Sequence, residues 1–423
     1  MKLKSLRARS VLLSAVCGIA LACLPACQDT NPHQKPEGTV TVKVPVLREG
    51  TYKMGLVELT TLENLLTLRG AAAQFFFSPG IQGNQLYGVE PRIRTMRTSD
   101  GTFVATDALS LQMLSLYSNL ENLMKLDEKI GIKNLNTWPR SVAVNARLVD
   151  ARGQQRDNAL YSGQIDAFLF VPYTKSDLPL SMNAGVIGHE HFHSFFYKLV
   201  LKPLGGVFSQ ASNADAHPDH ELADFAANID RFKTDRGQSM SEREMYHVTL
   251  LRGMNEGLAD IWGYLYSGDT SFVSRSLRSE KARDLEQQGE AIPTSTQWAE
   301  RIRMYSRVGE SLGESYALGS AYAKVLRVAV RGAMGREGQS QGLRIQDQAR
   351  IEIAQALIRS LVKLEEKIKS LKDDENLKPS SILEILSHEI PALGDEGCAL
   401  IREKVESGTD VCGTPAVRTP EAR

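Results

Sequence analysis

Charge of either sign is not in excess in this chain, since 50 lysines and arginines face 50 aspartates and glutamates across 423 residues. A balanced surface of that kind gives no reason to expect a nucleic-acid partner, which would need a basic face. After the first 27 residues no apolar run is long enough for a transmembrane helix, so association with a membrane would have to be through lipid. Internal repeats and low-complexity blocks are missing too, and the remaining length suffices for two lobes around one cleft. Histidine is scarce, eight in the whole chain, which gives weight to the one place where three of them gather within five residues.

That place is Val186-Ile187-Gly188-His189-Glu190-His191-Phe192-His193, which contains H-E-x-x-H with apolar residues leading in. On a helix, His189 and His193 leave the same face and can grip one metal ion. Glu190, one position round, can reach a water on that ion. His191 points about 200° away from His189 at the helical pitch and is not expected to ligate. Chance alone would put H-E-x-x-H in roughly one chain in a hundred of this composition, and a histidine-rich polar helix face is the plain alternative, so the motif needs company.

The company is Gly253-Met254-Asn255-Glu256-Gly257-Leu258-Ala259-Asp260. Glu256 and Asp260 are again one turn apart on a helix. Two histidines and a glutamate, with water in the fourth position, are a known ligand set for catalytic zinc. A ligating histidine usually donates its other N–H to an acceptor that fixes its orientation, and Asp260 is expected to serve His189 in that way.

His189, Glu190, His193, Glu256 and Asp260, in that order and with Asn255 before the glutamate, resemble the gluzincins, the thermolysin-like branch of zinc metallopeptidases. Val144-Asn145-Ala146 resembles that family's substrate-pairing edge strand, and Tyr161-Ser162-Gly163-Gln164 resembles the turn after it. Downstream, Gly313-Glu314-Ser315-Tyr316-Ala317-Leu318-Gly319 is similar to the E-x-H-x-x-G stretch of fungalysin-type members, with Tyr316 where they have a transition-state histidine. The resemblance covers about residues 105 to 330. It departs from thermolysin in the some sixty residues between His193 and Glu256, which require an insertion. The eight residues after His193 lack the glycine and third histidine of a metzincin.

What the resemblance implies is an α+β, zincin-like two-lobe fold, with a strand-bearing N-terminal lobe, the H-E-x-x-H helix at the cleft and a helical C-terminal lobe. The implied cofactor is Zn2+ on His189, His193 and Glu256, with Glu190 as general base, and the implied partner is a peptide or protein substrate. Tyr316, or His247 upstream of Glu256, would hydrogen-bond the oxyanion, and each has a packing role as its alternative. Asn145 and Ala146 would pair with an extended substrate by backbone hydrogen bonds. The rival from another class is a zinc-binding but catalytically silent envelope lipoprotein, an adhesin or assembly factor, which an occluded cleft or a Tyr316 turned from the metal would favour.

The N-terminus reads as an address. Lys2, Lys4, Arg7 and Arg9 precede an apolar stretch, Val11 to Leu24, too short for a stable anchor. Leu24-Pro25-Ala26-Cys27 resembles a bacterial lipobox, so Cys27 is expected to carry lipid, with Gln28 after it pointing to the outer membrane. Residues 28 to 38 are a polar tether with two prolines. The expected organisation is therefore signal 1–27, tether 28–38, a mixed lobe 39–204 and a mostly helical lobe 205–423. Export also suits Cys398 and Cys412, the two cysteines beyond the signal, whose disulfide would be worth roughly 3 kcal/mol in the chain-entropy model.

Between these landmarks, Val40, Val42, Val44 and Val46 alternate as a strand, and a helix is expected from Thr106 or Asp107 to about Ile130, stopped by Gly131. Strands are expected over 141–149 and 164–171, with Ser181 or Asn183 capping the motif helix. The insertion from Gly205 to Arg243 holds His217, Asp219, His220, Glu221 and Asp224, without ligand spacing that stands out, and reads as a solvated loop and helix rather than a second metal site. Ile351 to Leu371 keeps helical spacing, and another helix starts after Pro379.

Overall fold

The computed structural model describes residues 38–82, 85–150, 153–205, 241–306, 311–334, 348–390 and 393–413. The fold is mixed α+β, with sheets in the N-terminal part and helices in the C-terminal part. Cys27, the tether up to residue 37 and the histidines of the insertion all lie outside the described residues.

The chain begins with a hairpin, β1 (Val40–Arg48) and β2 (Thr51–Leu59). Its turn residues Glu49 and Gly50 have φ of 51° and 72°, the pair of positive angles that matches the right-handed twist of two strands. Val40, Val42 and Val44 point inward, as the alternation predicts. A small ribbon, β3 (Leu62–Asn64) with β4 (Arg69–Gly70), leads to β5 (Ala73–Gln82) and β6 (Gln85–Val89). Next come β7 (Thr95–Arg97) and β8 (Phe103–Ala105), which complete a four-stranded sheet in the order β2-β1-β8-β7.

Helix α1 (Ala108–Lys129) is capped by Asp107, whose carboxylate accepts from the Ser110 amide at 2.8 Å, and it stops at Gly131, whose φ is 82°. It crosses over to β9 (Arg140–Val144), parallel to β5, and a ribbon of β10 (Val149–Asp150) and β11 (Gly153–Gln154) leads to β12 (Ala159–Ser162) and β13 (Ala167–Phe170). The second sheet has the order β12-β13-β9-β5-β6, with three parallel strands inside and an antiparallel strand at each edge. Side-chain alternation splits it cleanly. Val142, Val144, Phe168 and Phe170 join the main core, while Ala143, Ala167 and Leu169 form a small cluster on the other face.

Two helices then meet at the centre. In α2 (Ala184–Phe196) all thirteen residues are buried. Its cap is Asn183, whose Oδ1 accepts from the amides of Gly185 and Val186 and whose amide donates to the Phe272 carbonyl and the Ser276 hydroxyl. In α3 (Glu242–Ser267), Ser241 and Glu244 form a capping box, and Gly268 ends the helix with φ 75°. The two approach so closely that a Cβ on Gly263 would lie 2.5 Å from the Gly185 carbonyl oxygen.

The rest is helical: α4 (Phe272–Ser276), α5 (Ser295–Ser306), α6 (Ser311–Met334), α7 (Gln348–Lys369), α8 (Ser381–Glu389) and α9 (Gly394–Lys404). Helix α6 packs on α3 through Gly257 and Gly319, where a Cβ on Gly257 would lie 2.5 Å from the Gly319 carbonyl oxygen. Cys398 in α9 is joined to Cys412 by a disulfide. Among the described residues no helix is long and apolar enough to cross a membrane.

Candidate metal centre

The α2–α3 crossing brings the two sequence segments face to face. His189 and His193 present their Nε2 atoms 2.9 Å apart. The Glu256 carboxylate faces both, with Oε2 3.6 Å from the His189 Nε2 and Oε1 3.8 Å from the His193 Nε2. A Glu190 oxygen also lies within 4.8 Å of the two imidazoles, and these three buried residues form a group that could hold a metal ion on one helix. His189, Glu190, His193 and Glu256, with Arg283 and Tyr316, line one narrow cavity of about 50 Å3.

Each imidazole is held from behind. His189 Nδ1 lies 2.9 Å from an Asp260 oxygen, and His193 Nδ1 lies 2.9 Å from the Asn255 Oδ1. A carboxamide oxygen only accepts, so the His193 Nδ1 carries its proton and donates to Asn255, while the His189 Nδ1 meets Asp260 as an ion-pair contact. The two Nε2 atoms are close enough for one to donate to the other, or for both to turn their lone pairs on one cation. Two nitrogens bound to one tetrahedral zinc at about 2.0–2.1 Å would stand about 3.3 Å apart, so only a few tenths of an ångström separate the two geometries. The formal charges agree: Glu190, Glu256 and Asp260 against Arg283 leave a deficit of two positive charges, which a divalent cation would fill.

Arg283 is the functional residue that sequence reading missed. It ends the 3-10 turn Arg278–Arg283, donates to the Glu256 Oε2 at 3.2 Å and to the two Asp260 oxygens at 2.7 and 3.2 Å, and stacks its guanidinium over the Tyr316 ring at 5.4 Å. No motif marks it. The signal was the sum of charges, because two carboxylates predicted to be buried on one helix face call for a buried cation.

Burial sets the proton affinities. Exclusion of water pushes the His189 pKa down to about 4, His193 adds to the drop, and Asp260 opposes it. Burial alone would raise Asp260, but Arg283 and the His189 hydrogen bond outweigh it and hold the carboxyl at about 2. A histidine depressed in the folded state binds fewer protons there than in the unfolded chain between pH 6.5 and about 4. Stability of the metal-free protein should therefore fall as pH drops through that window, by on the order of 3 kcal/mol in total. Asp260, depressed instead from 3.8 to about 2, loses its contribution only below pH 3.8. Urea unfolding of the metal-free protein at pH 7, 5.5 and 4 checks this, and a flat profile would show that His189 is not shielded from water.

No family model and no curated protein matches this sequence.

Three sequence expectations require correction or relocation. His247 does not reach the metal centre: its Nδ1 donates to the Arg243 carbonyl at 2.8 Å and its Nε2 accepts from the Leu377 amide at 3.2 Å, about 13 Å along α3 from Glu256 at the helical rise. Both ring nitrogens are committed, and the buried imidazole serves packing. Asn145 and Ala146 are not on an edge strand. They follow β9, which has β13 on one side and β5 on the other; Asn145 turns with φ 55° and the Ala146 amide donates to the Phe170 carbonyl. The edge beside the metal cavity is β12, where Asn158 and Ala159 line the wall. Tyr161 and Ser162 belong to that strand, and only Gly163 and Gln164 to the turn after it.

His191, on the far side of α2, is fully buried. Its Nε2 sits 3.0 and 3.1 Å from the two Asp127 oxygens. Asp127 accepts from Asn136, and Asn136 accepts in turn from Ser194 and Lys198. The third histidine of the cluster thus fastens the motif helix to α1.

Proposed function

We propose that the chain is a zinc-dependent peptidase of gluzincin type that hydrolyses peptide bonds, anchored to the outer membrane through a lipidated Cys27. The observation that carries the reading is the approach of the His189 and His193 Nε2 atoms to 2.9 Å, with the Glu256 carboxylate opposite both and the His193 Nδ1 held by Asn255. His189, His193 and Glu256 would hold the ion. Glu256 suits ligation better than Glu190, because it faces both nitrogens from a second helix and leaves Glu190 for proton transfer.

A bound zinc supplies polarisation of the scissile carbonyl and brings the pKa of its water to about 7. Glu190 would take a proton from the attacking water and deliver it to the leaving amine. Tyr316, in the cavity wall and seated on Arg283, donates a hydrogen bond to the carbonyl oxygen as charge builds there. Arg283 keeps Asp260 ionised as the acceptor for His189. The β12 edge pairs with an extended substrate chain.

The silent reading, a metal-holding envelope lipoprotein acting as adhesin or assembly factor, draws on one observation, the small size of the cavity, 50 Å3. The presence of both Glu190 and Tyr316 in its wall favours catalysis, since a site that only binds needs neither. The test is hydrolysis of a mixed peptide library by the zinc-loaded protein. We expect cleavage that a chelator abolishes and added zinc restores. A protein that binds one zinc and cleaves nothing in the library would give the silent reading the stronger case.

A further inference from the structure

Five of the large hydrophobic side chains exposed among the described residues lie between positions 54 and 96: Met54, Leu56, Tyr87, Val89 and Met96. The longer helical part contributes only Met304 and Val362. Exposed apolar residues scattered singly are ordinary, but their concentration in the part of the fold that follows the tether asks for a cause.

Three of the five share one sheet face. In the sheet β2-β1-β8-β7, Leu56 stands opposite Lys43, Lys43 opposite Val104, and Val104 opposite Met96. These residues alternate with Val42, Val57 and Phe103, which turn to the core, so the row faces outward across all four strands. Met54, opposite Pro45, adds a second apolar pair beside it. Leu56 is 57%, Met96 58% and Met54 45% exposed. The charges on this face and its rim are mostly basic: Lys43 in the middle of the row and Arg92, Arg94 and Arg97 around Met96, against Glu58 and Asp100. Apolar side chains ringed by lysine and arginine suit a lipid headgroup layer, where the cations meet phosphates and the apolar groups enter the acyl boundary. Position agrees with composition. Val40, the first residue of β1, is thirteen residues beyond Cys27, and a coil of that length has a root-mean-square reach of about 20 Å. A patch of this size is too weak to hold a free protein on a membrane. A short tether makes its docking intramolecular, at an effective concentration on the order of millimolar.

We propose that the outer face of the β2-β1-β8-β7 sheet lies on the lipid bilayer, with Leu56, Met96 and Met54 in the acyl boundary and Lys43 and the arginines on lipid phosphates. The inference rests on the lipid at Cys27 and is independent of the peptidase chemistry. It also ties the metal centre to the membrane. Four residues before Leu56 on β2, the Tyr52 hydroxyl donates to the Asn183 Oδ1 at 3.3 Å and accepts from the Ala184 amide at 3.0 Å. The strand that carries the lipid contact therefore also holds the N-terminus of α2, about 13 Å along at the strand rise. Docking of the sheet sets the orientation of the metal helix to the bilayer.

The test uses the mature lipidated protein in vesicles of phosphatidylethanolamine and phosphatidylglycerol, made with and without brominated acyl chains, and reads tryptophan fluorescence. The chain's own three tryptophans set the baseline. Leu56→Trp and Met96→Trp should be quenched by the brominated chains beyond that baseline, whereas Val362→Trp on α7 should not. Adding Lys43→Glu to Met96→Trp should remove the quenching at position 96, and raised salt should weaken it. No quenching beyond the baseline at 56 and 96, or equal quenching at 362, would overturn the proposal. The mass of the N-terminal peptide shows separately whether Cys27 carries lipid. If it does not, the anchor reading fails, and the sheet face is put to the same quenching test in the chain from Cys27 onward, coupled through that thiol to a maleimide phospholipid. Cys398 and Cys412 do not compete for the coupling, because they are joined to each other. Quenching at 56 and 96 but not at 362 in the coupled protein upholds the lipid-binding face; its absence overturns it.

Discussion

Replacing Glu190 by glutamine should leave the zinc in place and lower kcat/KM by about a hundredfold to ten-thousandfold, the usual worth of a general base. The substitution keeps the shape of a side chain that is 6% exposed and removes only the ability to take a proton. Metal content and turnover, measured on the same preparation, separate two roles that the geometry brings close together. Glu190 groups with the two histidines within 4.8 Å, so a variant that loses its zinc would make Glu190 the third ligand and hand the base role to another residue. A variant that keeps both zinc and full activity would remove Glu190 from the chemistry.

The second large effect is expected at Arg283. Its guanidinium is the cation that Glu256 and Asp260 share, and Asp260 is buried almost completely. Arg283→Met would leave two carboxylates facing each other in a space closed to water. Breaking a buried ion pair from one side typically costs about 3–5 kcal/mol, and that loss is expected for the metal-free protein in urea unfolding. Zinc would restore part of it, since a dication beside Glu256 replaces some of the missing charge. The gain in stability on adding zinc should therefore be larger in the variant than in the wild type. Equal unfolding midpoints for the two metal-free proteins would mean that the carboxylates do not carry their charge in the folded state.

Much of this centre was legible in the sequence because helical spacing is short-range information. His189 with His193, and Glu256 with Asp260, are one turn apart, and a turn fixes which side chains share a face whatever surrounds the helix. Asp260 behind His189 followed from the same logic. Asn255 precedes Glu256 on the same helix, and its contact with His193 needs only that α2 and α3 cross. The errors came from questions that spacing cannot answer. Whether β9 or β12 is an edge depends on the order in which strands pair across the sheet, which depends on the crossover through α1. His247 shares α3 with Glu256, yet its partner is Leu377, 130 residues further on. Arg283 lies on a short turn without periodicity, placed by packing against α6. The outer helix α7 was readable from its stripe of Ile351, Ala354, Ile358, Leu361 and Leu364, all buried, since one face meets water and the other does not.

Helix α2 has no such contrast. With thirteen of thirteen residues buried, it offers no position at which substitution is cheap. Its metal face carries His189 and His193, its back carries His191 against Asp127, and its flank carries Gly185 under Phe272. In a family descended from this chain, drift would write itself along the outer face of α7 in a repeating rhythm of about 3.6 residues, while the stretch from Ala184 to Phe196 would stay nearly silent. A stretch buried on every side would be the part with the longest memory.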